Sequence, residues 1–153
     1  VYAVTSQTAV NESYYSDAAS TVIQAVPVPA TIQAEAFTAM SGIELENCSD
    51  TGGGQDVGHF DADDYIEFRI SVATAGNFSI DYRLATANGS TGFEVWVDGA
   101  KAVDVMAVPN TGGWQTWVTK TSTPFAMTAG NHTLRLKSIG KEWNINWLKL
   151  NAQ

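Results

Sequence analysis

Tyr65-Ile66-Glu67-Phe68-Arg69-Ile70 and, beyond the turn signal Ala75-Gly76-Asn77, Phe78-Ser79-Ile80-Asp81-Tyr82-Arg83-Leu84 form the stretch that decides the fold. Apolar and polar residues alternate with period two in both runs, the signature of strands with one buried face. Working outward, the alternation returns in Phe93-Glu94-Val95-Trp96-Val97, Trp117-Val118-Thr119, His132-Thr133-Leu134-Arg135-Leu136-Lys137 and Asn144-Ile145-Asn146-Trp147-Leu148-Lys149-Leu150. Asn88-Gly89, Asp98-Gly99, Gly112-Gly113 and Ala129-Gly130-Asn131 punctuate these runs as turns. No segment carries apolar residues at helical spacing for long enough to form a helix. The pattern predicts an all-β domain of antiparallel strands, a sandwich or a barrel.

Residues 1–30 read differently. They are rich in Ala, Val, Ser and Thr and close on Val26-Pro27-Val28-Pro29-Ala30, whose alternating prolines favour extended backbone. The expectation is an interdomain linker over 1–30, partly docked, with Ser20 to Val26 a candidate edge strand, and a globular domain over 31–153. A start at Val1 reads as a piece of a larger polypeptide.

The chain has 153 residues, 44% of them hydrophobic, enough for one domain with a real core. Sixteen acidic against eight basic residues give a net charge of −8. That field repels nucleic acid and anionic membranes, so neither is an expected partner. Cys48 is the single cysteine, so no intrachain disulfide forms, and the residue reads as a small hydrophobe.

Catalysis finds little support. The carboxylates Asp61, Asp63 and Asp64 crowd one turn, only His59 and His132 offer imidazoles, and no nucleophile elbow, phosphate loop or Cys/His cluster occurs. The tryptophans say more. Gly112-Gly113 before Trp114 predicts an exposed indole on a loop, while Trp117 and Trp147, inside strand periodicity, are expected in the core. Trp143 and Trp147 flank Asn144-Ile145-Asn146. An exposed indole offers an apolar face to the C–H side of a pyranose, and a neighbouring amide such as Asn144 bonds its hydroxyls. Gln33 and Glu35, two apart on a strand, share a face. Turned inward, their oxygens need a hard cation such as Ca²⁺; turned outward, they sit in water. Spacing leaves both open.

These residues carry a family resemblance. Ile32-Gln33-Ala34-Glu35, Ser49-Asp50-Thr51-Gly52-Gly53-Gly54-Gln55-Asp56-Val57-Gly58, Asp64-Tyr65, Gly112-Gly113-Trp114-Gln115-Thr116-Trp117 and Trp143-Asn144-Ile145-Asn146-Trp147 occur in the order of a family 6 carbohydrate-binding module, over about residues 31–150. The resemblance implies a jelly-roll β-sandwich with a structural Ca²⁺ held by Gln33, Glu35 and Asn146 with backbone carbonyls. It implies a main sugar cleft at one edge, formed by Trp114, His59, Asn144 and Glu46, and a second cleft on a sheet face near Tyr65 and Trp96. Where the family has tyrosine after Val-Gly, this chain has His59, which stacks over less area.

The resulting expectation is a secreted, extracellular, monomeric, non-catalytic module that targets an appended glycoside hydrolase, such as an agarase, to a neutral polysaccharide. A negative surface disfavours sulfated and uronic chains. The His59 departure and an isoelectric point near 4.5 lean towards a marine galactan, so the preferred ligand is the end of an agarose chain. β-Glucan or xylan is the alternative ligand, and a glycan-active enzyme or an adhesion domain the alternative class.

Overall fold

The computed structural model describes residues 23–153 as two packed β-sheets with one 3₁₀ turn at Ala34–Ala36. Thirteen strands follow in chain order: β1 (Val26–Val28), β2 (Ala30–Gln33), β3 (Ala39–Ser41), β4 (Glu44–Asn47), β5 (Gln55–Gly58), β6 (Tyr65–Val72), β7 (Gly76–Thr86), β8 (Ser90–Val97), β9 (Ala100–Val108), β10 (Gly113–Thr121), β11 (Phe125–Met127), β12 (Gly130–Ser138) and β13 (Asn144–Ala152). One sheet runs β1-β6-β12-β8-β9 with β3 also on β6; the other runs β10-β7-β13-β5-β4 with β11 on β7 and β2 on β13. Every pairing is antiparallel except β1 with β6. The all-β sandwich expected from the alternation is the observed fold.

The core lies where the alternation puts it. Ile66, Phe68 and Ile70 of β6, Phe93 and Val95 of β8, and Leu134 and Leu136 of β12 turn inward from one sheet. Ile80, Tyr82 and Leu84 of β7 meet them from the other, with Leu148 and Leu150 of β13; all are essentially without solvent contact. Burying such side chains contributes about 1.5–3 kcal/mol each, the main term that offsets chain entropy.

The proline-rich approach is part of the sheet. Val26, Pro27 and Val28 pair with Ile70, Ser71 and Val72, and Val28 is buried. Pro27 lacks a backbone N–H, which an edge strand tolerates. Of the candidate strand from Ser20, residues 23–25 are not in a strand, and residues 1–22 of the predicted linker lie outside the described residues. Among the described residues no helix is long and apolar enough to cross a membrane.

Two irregularities break the period-two pattern, and both position the cleft described next. On β10, Gly113 faces Thr86 but Val118 faces Leu84, so residues 114–117 oppose a single residue of β7 and bulge from the sheet. On β13, Ile145 faces Leu84 and Trp147 faces Arg83, which makes Asn146 an extra residue. That bulge lets Asn144, Ile145 and Asn146 all be buried in succession, which regular alternation forbids.

The tryptophans rearrange accordingly. Trp143, which flanks Asn144-Ile145-Asn146, is the deepest of them: fully buried, stacked on Phe60 at 3.9 Å between centroids and on Phe93 at 4.7 Å. Its indole N–H donates to Ser138 Oγ at 2.9 Å. Trp117 and Trp147, expected in the core, are only half-buried, because the bulges shift which face each presents.

Candidate functional site

Trp114 stands on the β10 bulge with 41% of its surface exposed, as the preceding Gly112-Gly113 predicts. The loop holding it is tied down. Thr111 Oγ donates to the Thr86 carbonyl at 2.8 Å and accepts from the Thr86 N–H at 3.0 Å, and the Asn110 side chain accepts from Gly112 N–H. Gly112 takes φ of 86°, a left-handed conformation that glycine adopts without strain.

Beneath it lies Asn144, 3% exposed. Its amide nitrogen faces three acceptors: Glu46 Oε2 at 2.8 Å, Asp56 Oδ1 at 3.1 Å and the Trp114 carbonyl at 3.3 Å. Three acceptors around one end of the amide fix its orientation, since the carbonyl oxygen there would face only repulsion. The opposite end, Oδ1, lies over Gly58, where an added Cβ would come within 2.8 Å. This leaves Asn144 Oδ1 accepting no hydrogen bond among the described residues.

Glu46 joins the group. Its Oε1 lies 2.8 Å from His59 Nε2 while its Oε2 takes Asn144. A carboxylate can only accept here, so His59 Nε2 carries a proton. His59 sits at φ 60° directly after Val57-Gly58, which turns its ring out of the sheet. Gln115 braces the floor, donating to Asp56 at 2.7 Å and accepting from Ser49 N–H at 2.8 Å. Burial pushes the Asp56 carboxyl above its ordinary range, against the two amides that bond its anion.

These residues line one cleft of about 390 Å³: the four expected from sequence, Trp114, Asn144, His59 and Glu46, are brought together, and Asp61 and Glu142 join them unforeseen. Nothing in their local pattern marks Asp61 or Glu142, because each reaches the rim through a turn. Glu142 adopts φ of 61°, its N–H bonds the Phe60 carbonyl at 2.9 Å and its carbonyl accepts from Thr86 Oγ at 2.7 Å. With three carboxylates and one indole on its walls, the cleft offers stacking and many acceptors, and repels anions.

The second expected pair separates. Trp96 lines a smaller cleft of about 280 Å³ on the outer face of the other sheet, with Glu67 and Arg135. Tyr65 does not line it; the Arg135 guanidinium lies 4.1 Å from the centre of its ring and covers it. Arg135 also pairs with Glu67 at 2.6 Å, and the Trp96 N–H is taken by Glu94 at 3.0 Å.

The expected metal residues form a group of a different shape from the one read off spacing. Strand β2 ends at Gln33, which is exposed, and Glu35 falls in the 3₁₀ turn, so the two do not share a strand face. Among the described residues no three His, Cys, Asp or Glu cluster together. Glu35 Oε2 and Asn146 Oδ1 are nonetheless both buried without a hydrogen-bond partner. Asn146 Nδ2 donates to Asp50 at 3.0 Å, and Glu35 Oε1 lies beside Gly54, so both side chains border the Asp50–Gly54 turn. Asp50 is held by Arg83 at 2.8 Å, and that pairing lowers its carboxyl to about 2. Buried, unpaired oxygens from one carboxylate and one amide are the donor chemistry of a hard divalent cation, so the residues present fit Ca²⁺.

A sandwich with an exposed indole over a buried amide at its edge is the architecture of a sugar-binding module, and similarity to known proteins agrees. The sequence profile of carbohydrate binding module family 6 matches residues 33–152, and the chain belongs to that family. It is a polysaccharide-binding module. It is 34% identical over 122 residues to the clotting factor G alpha subunit of Tachypleus tridentatus, covering 78% of this chain and 18% of that protein. It is 29% identical over 106 residues to the β-agarase AgaA of Microbulbifer thermotolerans, covering 63% of this chain and 24% of that one. The chain thus spans a quarter or less of these relatives. Among solved structures, the module from Cellvibrio mixtus lichenase 5A, in complex with cellotriose, is 37% identical, with a TM-score of 0.73 over 82% of this chain and 98% of that one. A β-1,3-glucan-binding family 6 module from Bacillus halodurans is 31% identical, with a TM-score of 0.74 over 84% and 100%.

Proposed function

We propose that this module holds the end of a neutral, β-linked polysaccharide chain in the Trp114 cleft. The observation that carries the reading is the pairing of a half-exposed indole with a fixed amide whose oxygen accepts no hydrogen bond among the described residues. Trp114 stacks on one sugar face, and Asn144 Oδ1 accepts from a ring hydroxyl. His59 closes the cleft against Glu46 and offers its ring edge. The carboxylates Glu46, Asp61 and Glu142 support a neutral ligand, since sulfate or uronate would meet them directly. The module carries no chemistry of its own in this reading. It acts as a secreted monomer attached to a glycoside hydrolase and keeps that enzyme at its substrate.

Agarose is the first candidate ligand: His59 replaces the second stacking ring usual in the family, and a β-agarase is among the relatives. β-Glucan is the second, favoured by the cellotriose and β-1,3-glucan named for solved neighbours. The outer face around Trp96 is a lesser site in the same proposal, with Trp96 as its aromatic and without Tyr65. Ca²⁺ held at Glu35 and Asn146 is structural, with Gln33 and backbone carbonyls completing its shell.

Affinity electrophoresis through agarose, laminarin and xylan gels tests the reading. Retardation in agarose or laminarin, with no sugar released, is the expected result. Free migration in every gel sinks the proposal, and release of oligosaccharides means an enzyme instead.

A further inference from the structure

A second hollow of about 550 Å³ adjoins the main cleft, and the two share Asp61 and Glu142 as a common rim. It lies between the start of β8, at Gly89-Ser90-Thr91, and the turn Ile139-Gly140-Lys141. We propose that this hollow is a further sugar subsite, continuous with the Trp114 cleft, which takes the next residues of the same polysaccharide chain. The inference rests on the reading that the Trp114 cleft binds a neutral chain.

The hollow is built, not a chance gap between loops. Ile139 and Gly140 both donate their N–H groups to the Gly92 carbonyl at 2.9 Å. A side chain at Gly140 would lie 2.4 Å from both the Ser90 and Thr91 hydroxyl oxygens and 2.8 Å from the Gly92 nitrogen, so glycine lets this turn close on the start of β8. Ser138 Oγ donates to the Gly140 carbonyl at 2.8 Å. Ser138 also holds the indole of Trp143, so this turn is anchored to the core stack beneath the main cleft. The Glu142 bonds to Phe60 and Thr86 fix the other end.

The chemistry of the surface suits a sugar. Ile139 is a large aliphatic residue left 36% exposed on this otherwise rigid turn. It offers an apolar face to pyranose C–H groups, while Lys141 and Glu142 in the same lining offer charged groups to hydroxyls. A chain stacked on Trp114 can leave the main cleft over the Asp61–Glu142 rim without a turn away from protein. The rest of the main cleft's lining includes the hydrogen-bonded His59–Glu46–Asn144 group, none of which lines the second hollow. In this proposal the chain end lies on the His59 side, which lines the main cleft alone, and the chain runs out past Ile139, which lines the second hollow alone.

Calorimetry with di- and tetrasaccharides of the neoagaro and laminari series decides it. The wild-type module is expected to bind the tetrasaccharide more tightly than the disaccharide of the same series. Ile139→Ala should weaken tetrasaccharide binding roughly three- to tenfold, the scale of a partly covered aliphatic contact, and leave the disaccharide unchanged. Lys141→Ala should act in the same direction. Equal binding of both lengths by the wild type, or an Ile139→Ala variant that binds the tetrasaccharide as tightly as wild type, overturns the subsite and leaves the main reading standing. Absence of binding to either series at either length overturns the main reading, and the subsite with it.

Discussion

Replacing Trp114 with alanine is expected to weaken binding to the module's polysaccharide by about 5- to 150-fold, which corresponds to the ~1–3 kcal/mol that stacking a ring on an aromatic contributes. The variant should fold normally. Trp114 lies on a bulge outside the sheet ladder, its side chain is not part of the core, and the contact it gives Asn144 comes from its backbone carbonyl, which alanine retains. Circular dichroism and the melting curve should match wild type while affinity falls. Trp114→Phe should recover part of the loss, since a smaller ring still stacks. A folded Trp114→Ala variant with wild-type affinity would remove the cleft from the account.

Chelation is the second large effect. A cation that binds only the folded domain stabilises it by about 2.7 kcal/mol when present at a hundred times its Kd. For a domain of this size that is a fall in Tm of roughly 5–10 °C when excess EDTA strips it. The fall should be reversed by Ca²⁺. Glu35→Gln should melt lower than wild type and lose much of its response to EDTA, because Glu35 brings the only carboxylate among the two orphaned oxygens. An unchanged melting curve in EDTA, with no metal by elemental analysis, would mean that Glu35 Oε2 and Asn146 Oδ1 are satisfied in some other way.

Much of this molecule is legible in its sequence, and the illegible parts share a cause. The inward sets Ile66/Phe68/Ile70, Ile80/Tyr82/Leu84 and Leu134/Leu136 follow from period two alone, because those strands run regularly through the centre of their sheets. Short edge strands such as β3, β4 and β11 carry three or four residues each, too few to display a period. The bulges are the larger omission. Nothing in Asn144-Ile145-Asn146 announces that three consecutive residues turn inward, so alternation put Trp147 in the core and left Trp143 unassigned. Yet the bulges are what assemble the site: one lifts Trp114 out of its sheet, and the other buries both Asn144 and Asn146. Local patterning singled out Trp114 and Asn144, and the ordered motifs of the family added His59 and Glu46 to them. Asp61 and Glu142 escaped both, since each belongs to a turn whose position depends on partners far away in sequence, Ser138 and Phe60 among them.

Chemical-shift mapping by NMR tests the central claim most directly. Neoagarotetraose and laminaritetraose would each be titrated into ¹⁵N-labelled module, with the indole and side-chain amide signals followed alongside the backbone. The account predicts that at least one of the two shifts the Trp114 indole N–H, the Asn144 side-chain amide and the His59 and Ile139–Gly140 backbone signals together, along one saturation curve. A ligand that saturates the module while these signals stay still, moving only residues around Trp96 and Arg135, would contradict it.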